Sequence, residues 1–131
     1  MSVVTNVVIL ADGEDAAAVA FLNSWFESTA GPDGRLTRVD VCAVGPKAME
    51  AAVYAGGINY LDLQDFRTAI MAAPWRHPEF VQVLIKGQES SVFWLYAGEQ
   101  VDDRRYIVDL HPKGTFQPEP RRYTHLRVGR P

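Results

Sequence analysis

Two segments with apolar residues every three or four positions, each set behind a β-rich apolar run, constrain the fold more than any other feature of this sequence. In the first, Ala18, Phe21, Leu22, Trp25 and Phe26 line one face of a helix. The run before it, Val3 to Leu10, reads as a strand, and Asp12-Gly13-Glu14-Asp15 supplies an N-cap with carboxylates against the helix dipole. Gly31-Pro32-Asp33-Gly34 stops the helix.

The second helix signal follows a glycine pair in "AVYAGGINYLDLQDF". Asp62 reads as the N-cap, Asp65 as the third residue of a capping-box variant, and Leu61 with Phe66 as a hydrophobic staple. The helix runs through Ile70 and ends at Pro74. Gly56-Gly57 is expected to form a bulge or sharp exit from the preceding strand. A phosphate loop does not fit, because two carboxylates occupy the helix start and no lysine follows.

Between the helices, Arg35 to Val44 alternates as a strand, Gly45-Pro46-Lys47 turns, and Met49 to Tyr54 reads as its antiparallel partner. After "PWRHPEF", three further strands over Val81–Ile85, Ser91–Ala97 and Arg104–Leu110 suggest a meander. The order is β-α-β-β-α-β. It implies an α+β, ferredoxin-like sandwich, an antiparallel sheet with two helices on one face, extended by a C-terminal hairpin. Residues 1–111 form one domain in this reading, and 112–131 a basic, proline-rich tail.

The length of 131 residues suits one self-sufficient core, with no disulfide or structural metal required. Residues 1–100 carry 6 basic and 12 acidic side chains, while 101–131 carry 7 and 4, so a net of −6 faces a net of +3. An acidic body argues against a broad nucleic-acid footprint, and although the tail interleaves basic and aromatic residues, the segment "AAVYAGGINY" lacks the basic-glycine-aromatic pattern of an RNA-recognition module. The short apolar start has no basic region before it, which does not match a secretory signal. With one cysteine and no membrane-length apolar stretch, the expected location is the cytoplasm.

No nucleophile elbow, zinc-helix or kinase signature occurs, and His77, His111 and His125 lack ligand-pair spacing. No cofactor, metal or catalytic residue is therefore expected. Two candidate surfaces remain. The polar sides of the middle strands place Arg38, Asp40, Cys42, Glu50 and Tyr54 on the sheet face without helices, as a possible ligand face or a solvated one with ion pairs. Trp75 and Arg76, between prolines, and Arg121, Arg122 and Tyr123 in the tail are the residue types that dominate protein interfaces. Trp75 also suits a cap over the helix end. The expectation is a non-enzymatic module that binds another protein or its own copies, as an assembly subunit or an inhibitor of the immunity kind. The alternative is a small-molecule-binding protein or small enzyme using the open face.

Overall fold

The computed structural model describes residues 4–43, 45–88, 90, 93–102 and 105–116. The chain runs through β1 (Val4–Ala11), α1 (Ala16–Ser28), β2 (Thr37–Arg38), β3 (Ala52–Asn59), α2 (Leu63–Ala72), β4 (Gln82–Gly87), β5 (Phe93–Asp102) and β6 (Arg105–Phe116). The strands form one antiparallel sheet in the order β2-β3-β1-β4-β5-β6. The architecture is α+β, and among the described residues no helix is long and apolar enough to cross a membrane.

One face of the sheet carries the helices. Val7, Ile9 and Ala11 of β1, Ala52, Tyr54 and Ile58 of β3, Val83 and Ile85 of β4, and Tyr96 of β5 are buried in one core with Ala18, Val19, Leu22 and Phe26 of α1 and Phe66, Ala69 and Ile70 of α2. Phe26 and Phe66 stack at 5.8 Å between centroids and join the two helices, with Trp25 packed beside them. The expected face of α1 is confirmed except at Phe21, which is 38% exposed, while Val19 takes an inward position. Asp62 caps α2 as its spacing implies, its side chain accepting from the Asp65 N–H at 3.0 Å.

The strand expected over Arg35–Val44 is corrected to the two residues of β2, followed by a 3-10 turn at Asp40–Cys42. The cause is Asp40. Its carboxylate accepts from the Val53 N–H at 2.9 Å, replacing the backbone acceptor that a continuing strand would offer, so the chain leaves the ladder there. The antiparallel pairing itself holds, with Thr37 opposite Ala55 and Arg38 opposite Tyr54.

Strand β3 begins later than Met49 and runs through both glycines, which correct the expected bend. Gly56 and Gly57 pair with Val7 and Asn6 inside the sheet. A Cβ on Gly56 would collide with the Arg35 carbonyl oxygen, so the glycine permits a close backbone approach, the reading usual for an isolated strand glycine. The turn into α2 falls instead at Tyr60, at φ 57°, a left-handed conformation rare for a bulky side chain.

The C-terminal meander forms, but β6 continues through Phe116, into the segment read as tail. Pro112 is accommodated because β6 is an edge strand and the ladder shifts register on both sides of Tyr96, its partner. Residues 117–131 lie outside the described residues.

Candidate functional site

Among the described residues no helix lies on the opposite face of the sheet, and the centre of that face is apolar. Alternation turns Asn6, Val8 and Leu10 of β1, Val53 and Ala55 of β3, Gln82, Leu84 and Lys86 of β4, and Phe93, Leu95 and Ala97 of β5 to this side. Ala55, Val8, Leu84 and Leu95 stand directly opposite one another across four strands, making a continuous row of half-exposed apolar side chains. A sheet with one solvated face alternates apolar with polar residues, whereas strands covered on both faces read as unbroken apolar runs. Val7-Val8-Ile9-Leu10 is such a run. Lys86 is the single charged residue among those just named, and Asp109 of β6 stands opposite Ala97.

At one end the face gives way to an acidic cleft of about 370 Å3, lined by Leu10, Ala11, Asp12, Glu50, Ala51, Glu79, Phe80 and Gln82. Phe80 is 59% exposed at its rim. This end is held together by Asp15, whose side chain is placed by the 3-10 turn at Gly13–Asp15 that precedes α1. Asp15 is 1% exposed and accepts from the backbone N–H groups of Arg76 at 2.5 Å and His77 at 3.2 Å, tying the β1–α1 loop to the α2–β4 loop.

That tie brings Glu14 and His77 together at 2.8 Å, with Asp12 at 4.0 Å on the same ring nitrogen and Glu79 at 4.0 Å from the other. The ligand atoms of Asp12, Glu14 and His77 lie within 4.8 Å of one another, close enough to hold a metal ion. Within this structure their contacts are explained by hydrogen bonding, since Asp12 also caps the Glu14 N–H at 2.9 Å. The imidazole of His77 is raised above its ordinary 6.5, first by the hydrogen bond to Glu14, with the charges of Asp12, Glu14 and Asp15 adding and partial burial opposing.

The sign of the pH effect follows. A histidine whose folded pKa is raised contributes stability that is fully present below its unfolded pKa and is lost as pH rises through the folded one. Thermal stability is therefore expected to fall as the solution passes upward through the range just above 6.5, and His77→Gln flattens that slope. Melting curves at successive pH values test it, and an unchanged slope in the variant would contradict the assignment. At the acid end Asp40 acts oppositely. The hydrogen bond from Arg38 and then that from Val53 N–H lower its pKa to about 2, so its contribution is held above 3.8 and disappears as pH falls towards 2.

The structure divides the five residues expected on the open face. Tyr54 is 7% exposed on the helix side, so the expectation that it faces away from the helices is corrected; its register partner Ile9 faces the same core. Arg38 and Asp40 form a bidentate pair at 2.8 and 3.1 Å at the β2 edge. Cys42 is exposed in the 3-10 turn, and Glu50 lines the acidic cleft. Arg38 and Tyr54 instead share a groove of about 460 Å3 between α1 and β2, with Asn23, Glu27 and Arg35 on its walls.

Among the interface candidates, Trp75 folds back on the helix end, donating its indole N–H to the Ile70 carbonyl at 2.7 Å and packing on the core. Arg76 is exposed, 3.9 Å from the Glu14 carboxylate. Arg121, Arg122 and Tyr123 lie outside the described residues. Sequence reasoning missed Asp15, His77 and the apolar face. Only the last left a local trace, the lack of alternation in β1. No family model, curated protein or solved structure matches the chain.

Proposed function

We propose that this chain is a non-enzymatic protein-binding module, an assembly subunit or small inhibitor, whose docking surface is the apolar sheet face opposite the helices. The observation that carries the reading is the cross-strand row Ala55, Val8, Leu84 and Leu95, apolar on a face that no helix covers among the described residues. Covering such side chains contributes on the order of 1 kcal/mol for each that is half-exposed. Extended patches of this kind mark interaction sites, whereas single surface apolar residues are ordinary. The apolar row at the centre of the face and the acidic cleft at its end match an interface with an apolar centre and a polar rim.

The architecture supporting this surface is read as ferredoxin-like. β3 lies between β1 and β2 and is antiparallel to both, so β1 and β2 run parallel with a strand between them, and β1 likewise separates β3 from β4. This order supports the split βαβ reading, with β5 and β6 added beyond β4. The fold itself carries no function.

A second reading, a small-molecule site, is favoured by the groove containing Arg35, Arg38 and Tyr54. It ranks lower because Asp40 already occupies the guanidinium of Arg38 on two nitrogens.

Leu84→Asp tests the module. It lies on the open face, so its unfolding free energy should fall by only about 1 kcal/mol, in the range of ordinary substitutions outside the core. In gentle extracts of the source cell, tagged wild-type chain is expected to elute within a larger complex and the variant as the free chain. A variant that elutes with the wild type, or a wild type that elutes free, would count against the open face.

A further inference from the structure

The open face has a candidate occupant within this chain. We propose that residues 117–131 dock in cis across the apolar sheet face towards the acidic cleft, as a strap that a partner must displace. This rests on the reading of the open face as a docking surface, and adds a regulator to it.

Three observations converge on this occupant. The first is where the described chain leaves off. Phe116 pairs with Phe93, which pairs with Lys86, so β6 delivers the chain to a corner of the open face, at the end of β4 away from Gln82 and the cleft. Pro118 and Pro120 then follow in the sequence, residues with no N–H to donate to a sheet ladder.

The second is reach. From that corner to the cleft the path is about 13 Å along β4 and about 14 Å across three strand spacings, whereas 15 extended residues span up to about 50 Å. The third is chemistry. Residues 117–131 carry Arg121, Arg122, Arg127 and Arg130 against one acid, Glu119, with Tyr123, Leu126 and Val128 between them. Apolar side chains interleaved with guanidiniums suit a surface that is apolar along Val8, Leu84 and Leu95 and ends at Asp12, Glu50 and Glu79. Arginine is also the cation best fitted to carboxylates.

A second copy is the other occupant that the geometry admits. Docked through its body, which carries the same net charge of −6 over residues 1–100, it lacks the complementarity that the basic segment has towards the cleft, and a second copy's own basic segment is told apart by the mixing below.

The test uses the full chain with Val128→Cys in a Cys42→Ser background, carrying a nitroxide at position 128. Methyl resonances of Val8, Leu84 and Leu95 are expected to broaden, and that of Met71, exposed on α2, to stay sharp. Adding Arg127→Glu and Arg130→Glu should restore the open-face signals at least fivefold. Isotope-labelled chain without nitroxide, mixed with isotope-free chain that carries it, separates the sources. Broadening confined to molecules bearing their own nitroxide supports the strap. Broadening transferred between molecules overturns it in favour of a second copy, while leaving the open face a docking surface. Sharp open-face signals in both samples overturn it too, and the elution of Leu84→Asp then judges the docking reading separately.

Discussion

Asp15→Asn is expected to destabilise the protein by about 3 kcal/mol although it changes the shape of the side chain scarcely at all, because it places an amide donor against backbone N–H groups. Asp15 is buried and its two oxygens accept from Arg76 and His77, positions 61 and 62 residues away in sequence. An asparagine satisfies one of these donors at most, and a buried unsatisfied polar group costs about 1 to 3 kcal/mol. Asp15→Ala frees both donors and should cost at least as much. For a domain of this size the loss lowers the melting temperature by roughly 10 °C. Denaturant unfolding of the two variants measures it. A loss below about 0.5 kcal/mol for both would show that the two loops are held by something other than this carboxylate.

The effect should be local before it is global. With the tie gone, His77 is no longer positioned against Glu14, so its raised pKa should return towards 6.5. The stability loss and the titration of one histidine are thus two readouts of the same contact.

The second large effect is expected at Gly56. An alanine there places its Cβ against the Arg35 carbonyl, backbone that cannot swing away as a flexible side chain would. Separating β3 from the Arg35–Leu36 segment also pulls on Leu36, which is buried and bonded to the Asn23 side chain through both its N–H and its carbonyl, at 2.8 and 3.0 Å. Gly56→Ala should therefore cost about 2 to 3 kcal/mol, the usual scale of overpacking. Gly13→Ala is the control, since a Cβ at Gly13 meets nothing within 4 Å. Equal unfolding midpoints for the two variants would contradict the close-approach reading.

These sites mark the boundary of what the sequence makes legible. The helix faces and the Asp62 cap follow from contacts between residues three or four apart, and periodicity reports those directly. The antiparallel pairing of β2 with β3 and the C-terminal hairpins were equally local. The length of β2 was not, because Asp40 imitates a backbone acceptor only once Val53 lies opposite it. Alternation in "RLTRVDVCAV" therefore described a strand that the side chain of one of its own residues ends.

The candidate surfaces were less legible still. The acidic end depends on Asp12, Glu14 and Asp15 meeting residues 76–79, a contact with no sequence signature. Tyr54 was assigned to the outer face because β3 was started too early, and its pairing with Arg38 and Ile9 sets it among the core residues instead. The apolar outer face was announced by Val7-Val8-Ile9-Leu10, where both parities are apolar, and that run carries the signal of two-sided cover rather than of a strand alone.

Partner docking on that outer face can be trapped in place by photocrosslinking. A photoreactive residue replacing Leu84 in the full chain, expressed in the source cell, is compared with one replacing Gln64, exposed on α2. Docking on this face predicts adducts from position 84 with a defined protein, which binds the purified wild-type chain and loses affinity at least tenfold for Leu84→Asp, and none from position 64. Adducts with that protein from position 64 alone, or an identified partner whose affinity ignores Leu84→Asp, would contradict it.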